Sequence, residues 1–127
     1  MDRPLSPSNE NISSPPPPVD MDVLNEIAEN NPDVLREVMQ LYFEQTGGLI
    51  KTMREAIAAN DPRPLMHAAH SAVGSSAVCG MKPITAIFRR LEKCGNDSDC
   101  SQAPQFLTEA ETEFERIRAW MQPRLKA

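Results

Sequence analysis

The chain has 127 residues, a formal net charge of −5 at pH 7 and 24% charged residues. That length predicts a single domain, and an acidic balance with no stretch rich in Lys or Arg argues against nucleic acid as a partner. No apolar run approaches the roughly 18 residues needed to span a membrane, and no N-terminal apolar segment reads as a secretory signal, so a cytoplasmic protein is expected.

Residues 1–20 carry Pro4, Pro7 and the run Pro15-Pro16-Pro17-Pro18 among Ser, Asn and Asp. This composition predicts an extended, partly polyproline II tail or linker that buries no core. A tether or free tail is favoured over a ligand for a proline-binding domain, because proline-rich spacers are common. Asp20 is placed to cap a short helix with Val23, Leu24, Ile27 and Ala28 on its apolar side. Asn31-Pro32 then reads as a cap followed by proline in the first turn of a second helix. Its apolar positions are Leu35, Val38, Tyr42, Thr46, Leu49, Met53 and Ile57, with Met39, Phe43 and Ile50 alongside. Steps of three and four make this segment strongly helical. Gly47-Gly48 interrupts it, as either a bend or a break into two helices.

Asp61-Pro62 repeats the cap-proline signal and opens the third helix, which Gly80 is expected to end. Lys82-Pro83 opens a fourth, with Ile84, Ile87, Phe88, Leu91 and Cys94 facing inward. After a polar loop over 95–100, Ser101 is expected to cap the last helix, with Pro104 in its first turn. Phe106, Leu107, Ala110, Phe114, Ile117 and Met121 form its apolar stripe, and Pro123 is expected to stop it. No segment shows sustained two-residue alternation, so no sheet is expected, and there is no internal repeat. Five helices with short connections predict an all-α fold, an antiparallel four-helix bundle with a short N-terminal cap helix. The domain organisation is then a proline-rich tail over 1–20, a bundle over 21–123 and a C-terminal tail over 124–127.

The three cysteines fit a reducing compartment. Cys79 falls on a predicted core face as a small buried apolar residue. Cys94 and Cys100 bracket the 95–99 loop; a disulfide there is geometrically conceivable but disfavoured in a reducing cytosol. No CxxC is present, and no metal site is expected.

The third helix has two unlike sides. Leu65, Ala68, Ala69, Ala72, Ser75, Ser76 and Cys79 fall on one, nearly all of them small, so a neighbouring helix can approach closely. His70 falls on the other, flanked by Met66, His67, Val73, Gly74 and Ala77. A glycine inside a helix costs roughly 1 kcal/mol relative to Ala, so Gly74 beside an outward histidine points to something that must come close to the imidazole.

The segment His70-Ser71-Ala72-Val73-Gly74-Ser75-Ser76, followed by Cys79-Gly80, resembles the phosphohistidine motif of histidine-containing phosphotransfer (HPt) domains, whose pattern is roughly H-x-L-K-G-S-S/A with a Gly a few residues later. The resemblance covers about residues 21–122, helix for helix. It implies that His70 is a phosphoryl carrier and that Gly74 is the gap through which a receiver domain's aspartate reaches it. Two positions depart from the pattern: Ala72 replaces a larger apolar residue, and Val73 replaces the lysine that sits by the phosphoryl group in the family. The resemblance also places Glu92, on the next helix, where some HPt domains hydrogen-bond the active imidazole, although an ordinary surface glutamate is an equal reading.

The residues themselves fit a carrier better than an enzyme. A neutral imidazole nitrogen is a competent nucleophile, and phosphoryl transfer otherwise needs mainly positioning and charge neutralisation. There is no Gly-rich phosphate loop, Walker sequence or kinase signature, so no autokinase activity is expected. By the resemblance the partner receiver supplies the Mg²⁺, the aspartate and the catalytic lysine, and this chain needs no cofactor. Met66, Val73 and Ala77 around His70 form a candidate docking patch. His67, one turn before His70, is a candidate for replacing the missing charge, though a solvated surface histidine is the plainer reading. Arg89 and Arg90 either face the phosphate or form a solvated helix face. Ser71, Ser75 and Ser76 read as small packing residues, since no activating base accompanies them. The leading reading is a phosphorelay intermediate between receiver aspartates. The alternative is a degenerate HPt-like module that docks receivers without carrying phosphate, which Val73 favours. A metal or haem site on His67 and His70 is disfavoured by ligand count.

Overall fold

The computed structural model describes residues 16–126. Five helices follow in order, α1 (Met21–Ile27), α2 (Pro32–Ala58), α3 (Pro62–Val78), α4 (Lys82–Asn96) and α5 (Ala103–Leu125), and no strand occurs among the described residues. Helix α2 packs on α3, α3 on α4, α4 on α5, and α5 back on α2, closing an antiparallel four-helix ring. Short connections between long helices leave little choice but antiparallel neighbours. Helix α1 caps one end, with Leu24 fully buried.

The core is a single cluster to which every helix contributes: Leu24, Met39, Met53, Leu65, Ile84, Phe88, Leu91, Ile117 and Met121 have no solvent contact. Burying one such side chain stabilises by about 1.5–3 kcal/mol. Small residues line the core face of α3, where Ala69, Ala72 and Ser76 are inaccessible to solvent. That face lets α2 and α4 close on it from either side. On the α2 side, the Tyr42 hydroxyl and Ser76 Oγ share a buried hydrogen bond of 2.9 Å. Burial pushes the Tyr42 phenol up to about 12.

Two of the caps read from the sequence form with side-chain bonds. Asp20 Oδ1 accepts from the Asp22 and Val23 amides, and Asn31 Oδ1 from Asp33 and Val34. These bonds satisfy amide donors that a helix start leaves orphaned. Asp61 occupies the cap position of α3 without a side-chain bond. Gly80 terminates the α3 region with φ +76°, and a Cβ there would lie 2.9 Å from the Asp20 carbonyl. That close approach lets the Asp20 amide donate to the Gly80 carbonyl at 2.8 Å and pins the N-terminal strap to the turn.

Four expectations are corrected. Of the two readings of Gly47-Gly48, the break into two helices does not occur, and α2 runs continuously through both. The Thr52 hydroxyl donates back to the Gly48 carbonyl at 3.2 Å, and a Cβ at Gly47 would only touch the Phe114 ring, at 4.0 Å. Ser101 does not cap α5; its amide and hydroxyl both donate to Asp99 Oδ1, and Gln102 stands at the cap with no side-chain bond. Pro123 does not end α5, which continues to Leu125. Proline removes the bond to the carbonyl four residues back and crowds that carbonyl, but the residue there, Ala119, is exposed to water and Pro123 stands in the last turn. Lastly, the tail does contribute to the core: Val19 is 2% exposed and Pro18 is buried, while Arg116 donates to the Pro16 carbonyl at 2.6 Å. Apolar contact outweighs the extended preference over 18–19. The remainder of the expected tail, 1–15, lies outside the described residues.

Candidate functional site

The middle of α3 presents His70 outward, because the opposite side of the same turn is the small-residue seam buried against the core. Its side chain is 73% exposed. Nδ1 lies 2.7 Å from Glu92 Oε2, and the Glu92 side chain is only 23% exposed. A carboxylate accepts, so Nδ1 is the donor of this bond, and Nε2 is turned away from Glu92. Glu92 is therefore placed to hold the orientation of the ring.

Glu92 reaches His70 because α3 and α4 approach with almost no space between their backbones. Gly95 is buried at this seam. A Cβ there would lie 2.6 Å from Met66 Cβ, 2.7 Å from the Met66 nitrogen and 2.7 Å from the Pro62 carbonyl. Sequence reasoning placed Gly95 in a loop and missed it. Its position on the inward face of α4, one turn beyond Leu91, is the signal that identifies it.

Gly74, one turn after His70, has the opposite character. It is exposed, and a Cβ placed there meets nothing within 4 Å. Nothing inside the protein requires glycine at this position. Of the three expected docking residues, Ala77 is exposed, Met66 is half-buried, and Val73 is half-buried against the core cluster. The patch they make is thus low and small. Larger apolar exposure lies on the other flank of Gly74, where Leu41 of α2 is 54% exposed and Val78 of α3 is 61% exposed. With Val38 and Gly74 they line a shallow, mostly apolar groove between α2 and α3. Sequence reasoning missed this pair, because neither fits the inward stripe of its helix and neither stands next to His70.

His67 is exposed on α3, one turn before His70, with no hydrogen-bond or ion-pair partner among the described residues. No third His, Cys, Asp or Glu completes a metal-binding group among the described residues. Ser75 Oγ donates to the Ser71 and Ala72 carbonyls, and Ser76 is occupied by Tyr42. These serines are structural. The two arginines of α4 separate cleanly. Arg90 turns to α5, pairing with Glu109 at 3.6 Å and lying over the Phe106 ring. Arg89 is exposed and has no such partner. Cys79 is buried, while Cys94 and Cys100 are half-buried free thiols; burial pushes both the Cys79 and Cys94 thiols up.

No helix among the described residues is long and apolar enough to cross a membrane. No curated protein matches the chain significantly. Among solved structures, the fold is similar to the crystal structure of histidine-containing phosphotransfer protein B (HptB) from Pseudomonas aeruginosa PAO1. The TM-score is 0.82 at 22% identity, covering 88% of this chain and 97% of that one. The family model for the Hpt domain matches residues 37–120, a span that includes His70, Gly74 and Glu92. An outward histidine braced by a carboxylate on a four-helix bundle is thus accompanied by a family match over most of the chain, and the chain belongs to the Hpt domain family, the phosphorelay modules of two-component signalling.

Proposed function

We propose that this protein is a cytoplasmic phosphorelay intermediate that accepts a phosphoryl group on His70 from the aspartate of one receiver domain and donates it to another. The observation that carries the reading is the 2.7 Å contact of Nδ1 with Glu92 on a ring that is 73% exposed. It supports a nucleophile already in the correct tautomer with its reactive nitrogen facing solvent.

The Nε2 lone pair attacks the phosphorus of an aspartyl phosphate, and the P–O bond to the aspartate breaks in line, releasing its carboxylate. The Nδ1 hydrogen stays on the ring, which becomes cationic, and the Glu92 carboxylate stabilises that charge. Return of the phosphoryl group to a second aspartate reverses each change. The partner receiver supplies the Mg²⁺ and the acidic residues that hold it; this chain supplies the imidazole, its orientation and a docking surface. Gly74 leaves space beside the imidazole for the receiver's loops. The exposed Leu41 and Val78 add apolar area on the other flank of Gly74 from Met66, Val73 and Ala77, and apolar area near a reactive group suits a protein partner.

The test is transfer from a phosphorylated receiver domain with Mg²⁺. The expected product is acid-labile, base-stable phosphate on His70, absent in His70→Gln and retained in His67→Gln, with both variants as helical as the wild type. Binding of several receivers without any label would instead leave a docking module that carries no phosphate.

A further inference from the structure

We propose that Arg89 of α4 supplies the positive charge that faces the phosphoryl group on His70; the assignment deepens the carrier reading above and rests on it. The need for such a charge follows from the site. A phosphoryl group on Nε2 is dianionic, and its ring is held by the carboxylate of Glu92 at 2.7 Å. The ring's single positive charge then stands between two negative charges on the phosphoryl group and one on the carboxylate, so the site stays net negative. Helix α3 offers little relief: its sole Lys or Arg is Arg63, and the position one turn after His70 is the apolar Val73.

The antiparallel register of α3 and α4 puts Arg89 within reach. Gly95 lies against Met66 and Pro62, and Glu92 lies against His70. Three residues back along α4 therefore correspond to three residues forward along α3, and Arg89 stands level with Val73. The offset from His70 is about 4.5 Å along the axis. Around α4, a step of three residues turns Arg89 about 60° from Glu92, toward solvent and away from Arg90, which faces α5. Level with it on α3 is the half-buried Val73, a low side chain past which a guanidinium can extend to the imidazole.

Arg89 is also uncommitted. The other described arginines of α2, α4 and α5 each have a carboxylate, carbonyl or aromatic partner, and Arg89 has none. Arg63 is likewise free, but it lies seven residues before His70, about 10.5 Å along the axis. Lys51 stands on α2, which packs on the side of α3 away from α4 and Glu92. A guanidinium fork matches phosphoryl oxygens in pairs and stays charged at any working pH.

Phosphoramidate, a small donor that needs no protein partner, is the probe. His70 attacks its phosphorus, the P–N bond breaks, and ammonia leaves. Labelling rate and phosphohistidine half-life are measured on the full chain at low and high salt, alongside thermal melts. The expected result is that Arg89→Gln lowers the labelling rate about three- to tenfold and removes most of its salt dependence, with an unchanged melt. Arg63→Gln should label as the wild type does, and Val73→Lys in the Arg89→Gln background should restore the rate. Wild-type labelling by Arg89→Gln, or an equal loss in Arg63→Gln, overturns the assignment while leaving His70 as carrier. Absence of label on His70 in the wild type overturns the carrier reading, and the assignment falls with it.

Discussion

Two glycines of the α3–α4 hairpin occupy equally regular helix and answer to different constraints. At Gly95 a single added carbon would strike the Met66 backbone and the Pro62 carbonyl at 2.7 Å. At Gly74 the same carbon would meet only open space. The first glycine is required by the protein's own packing, since it lets α4 come close enough for Glu92 to hold the His70 ring. The second costs the isolated helix roughly 1 kcal/mol relative to alanine and returns nothing to the fold. A residue that weakens its own helix on an exposed face, one turn from the outward His70 imidazole, is best understood through what approaches from outside.

The comparison breaks most sharply at Gly74. Gly74→Leu should reduce transfer from a receiver roughly a hundredfold, since small displacements of reacting groups have effects of that size. The fold should be at least as stable as before, by thermal melting, and labelling by a small phosphodonor should change little. A parallel loss with the small donor would place the damage in His70 itself rather than in partner approach. At Gly95 the pattern inverts. Gly95→Ala should lose about 1–3 kcal/mol of stability, typical of overpacking at a backbone contact, in spite of alanine's better helix propensity. It should also slow labelling by either donor, because the seam that carries Glu92 must open.

Smaller effects sharpen the picture. Leu41→Asp in the α2–α3 groove should weaken binding of a cognate receiver by about tenfold, or roughly 1.4 kcal/mol, with small-donor labelling unaltered; calorimetry on the pair measures it. The least effect at working pH concerns Tyr42. Its folded phenol is raised to about 12 from an ordinary 10.0. The contribution is therefore fully present below pH 10 and lost as pH rises toward 12, because the unfolded chain gives up its proton first. Denaturant titrations between pH 8 and 12 should show stability falling through that window, and Tyr42→Phe should flatten the fall.

Much of the architecture was legible because it rests on local rules. Asp20 and Asn31 announce their helices by capping, and threes and fours of apolar residues define each buried stripe. Misreadings came where tertiary contact overrides a local signal. Gly47-Gly48 reads as a bend or a break, yet α2 is continuous there, with the Phe114 ring beside Gly47 and an internal Thr52 bond to Gly48. Pro18 and Val19 read as tail, yet they close the end of the core. At the site, His70 and Gly74 stand in one short motif and could be read together. Glu92 is 22 residues away, so its pairing with His70 depends on the α3–α4 register, which Gly95 sets and which no single helix reveals. Leu41 and Val78 become neighbours only once α2 is laid against α3.

The most direct measurement is to map the phosphoryl group after mixing the full chain with a phosphorylated receiver domain and Mg²⁺. The account predicts label on His70 alone, undiminished in His67→Gln and abolished in His70→Gln at unchanged helicity. Label at His67, at a serine, or nowhere despite tight receiver binding would contradict it.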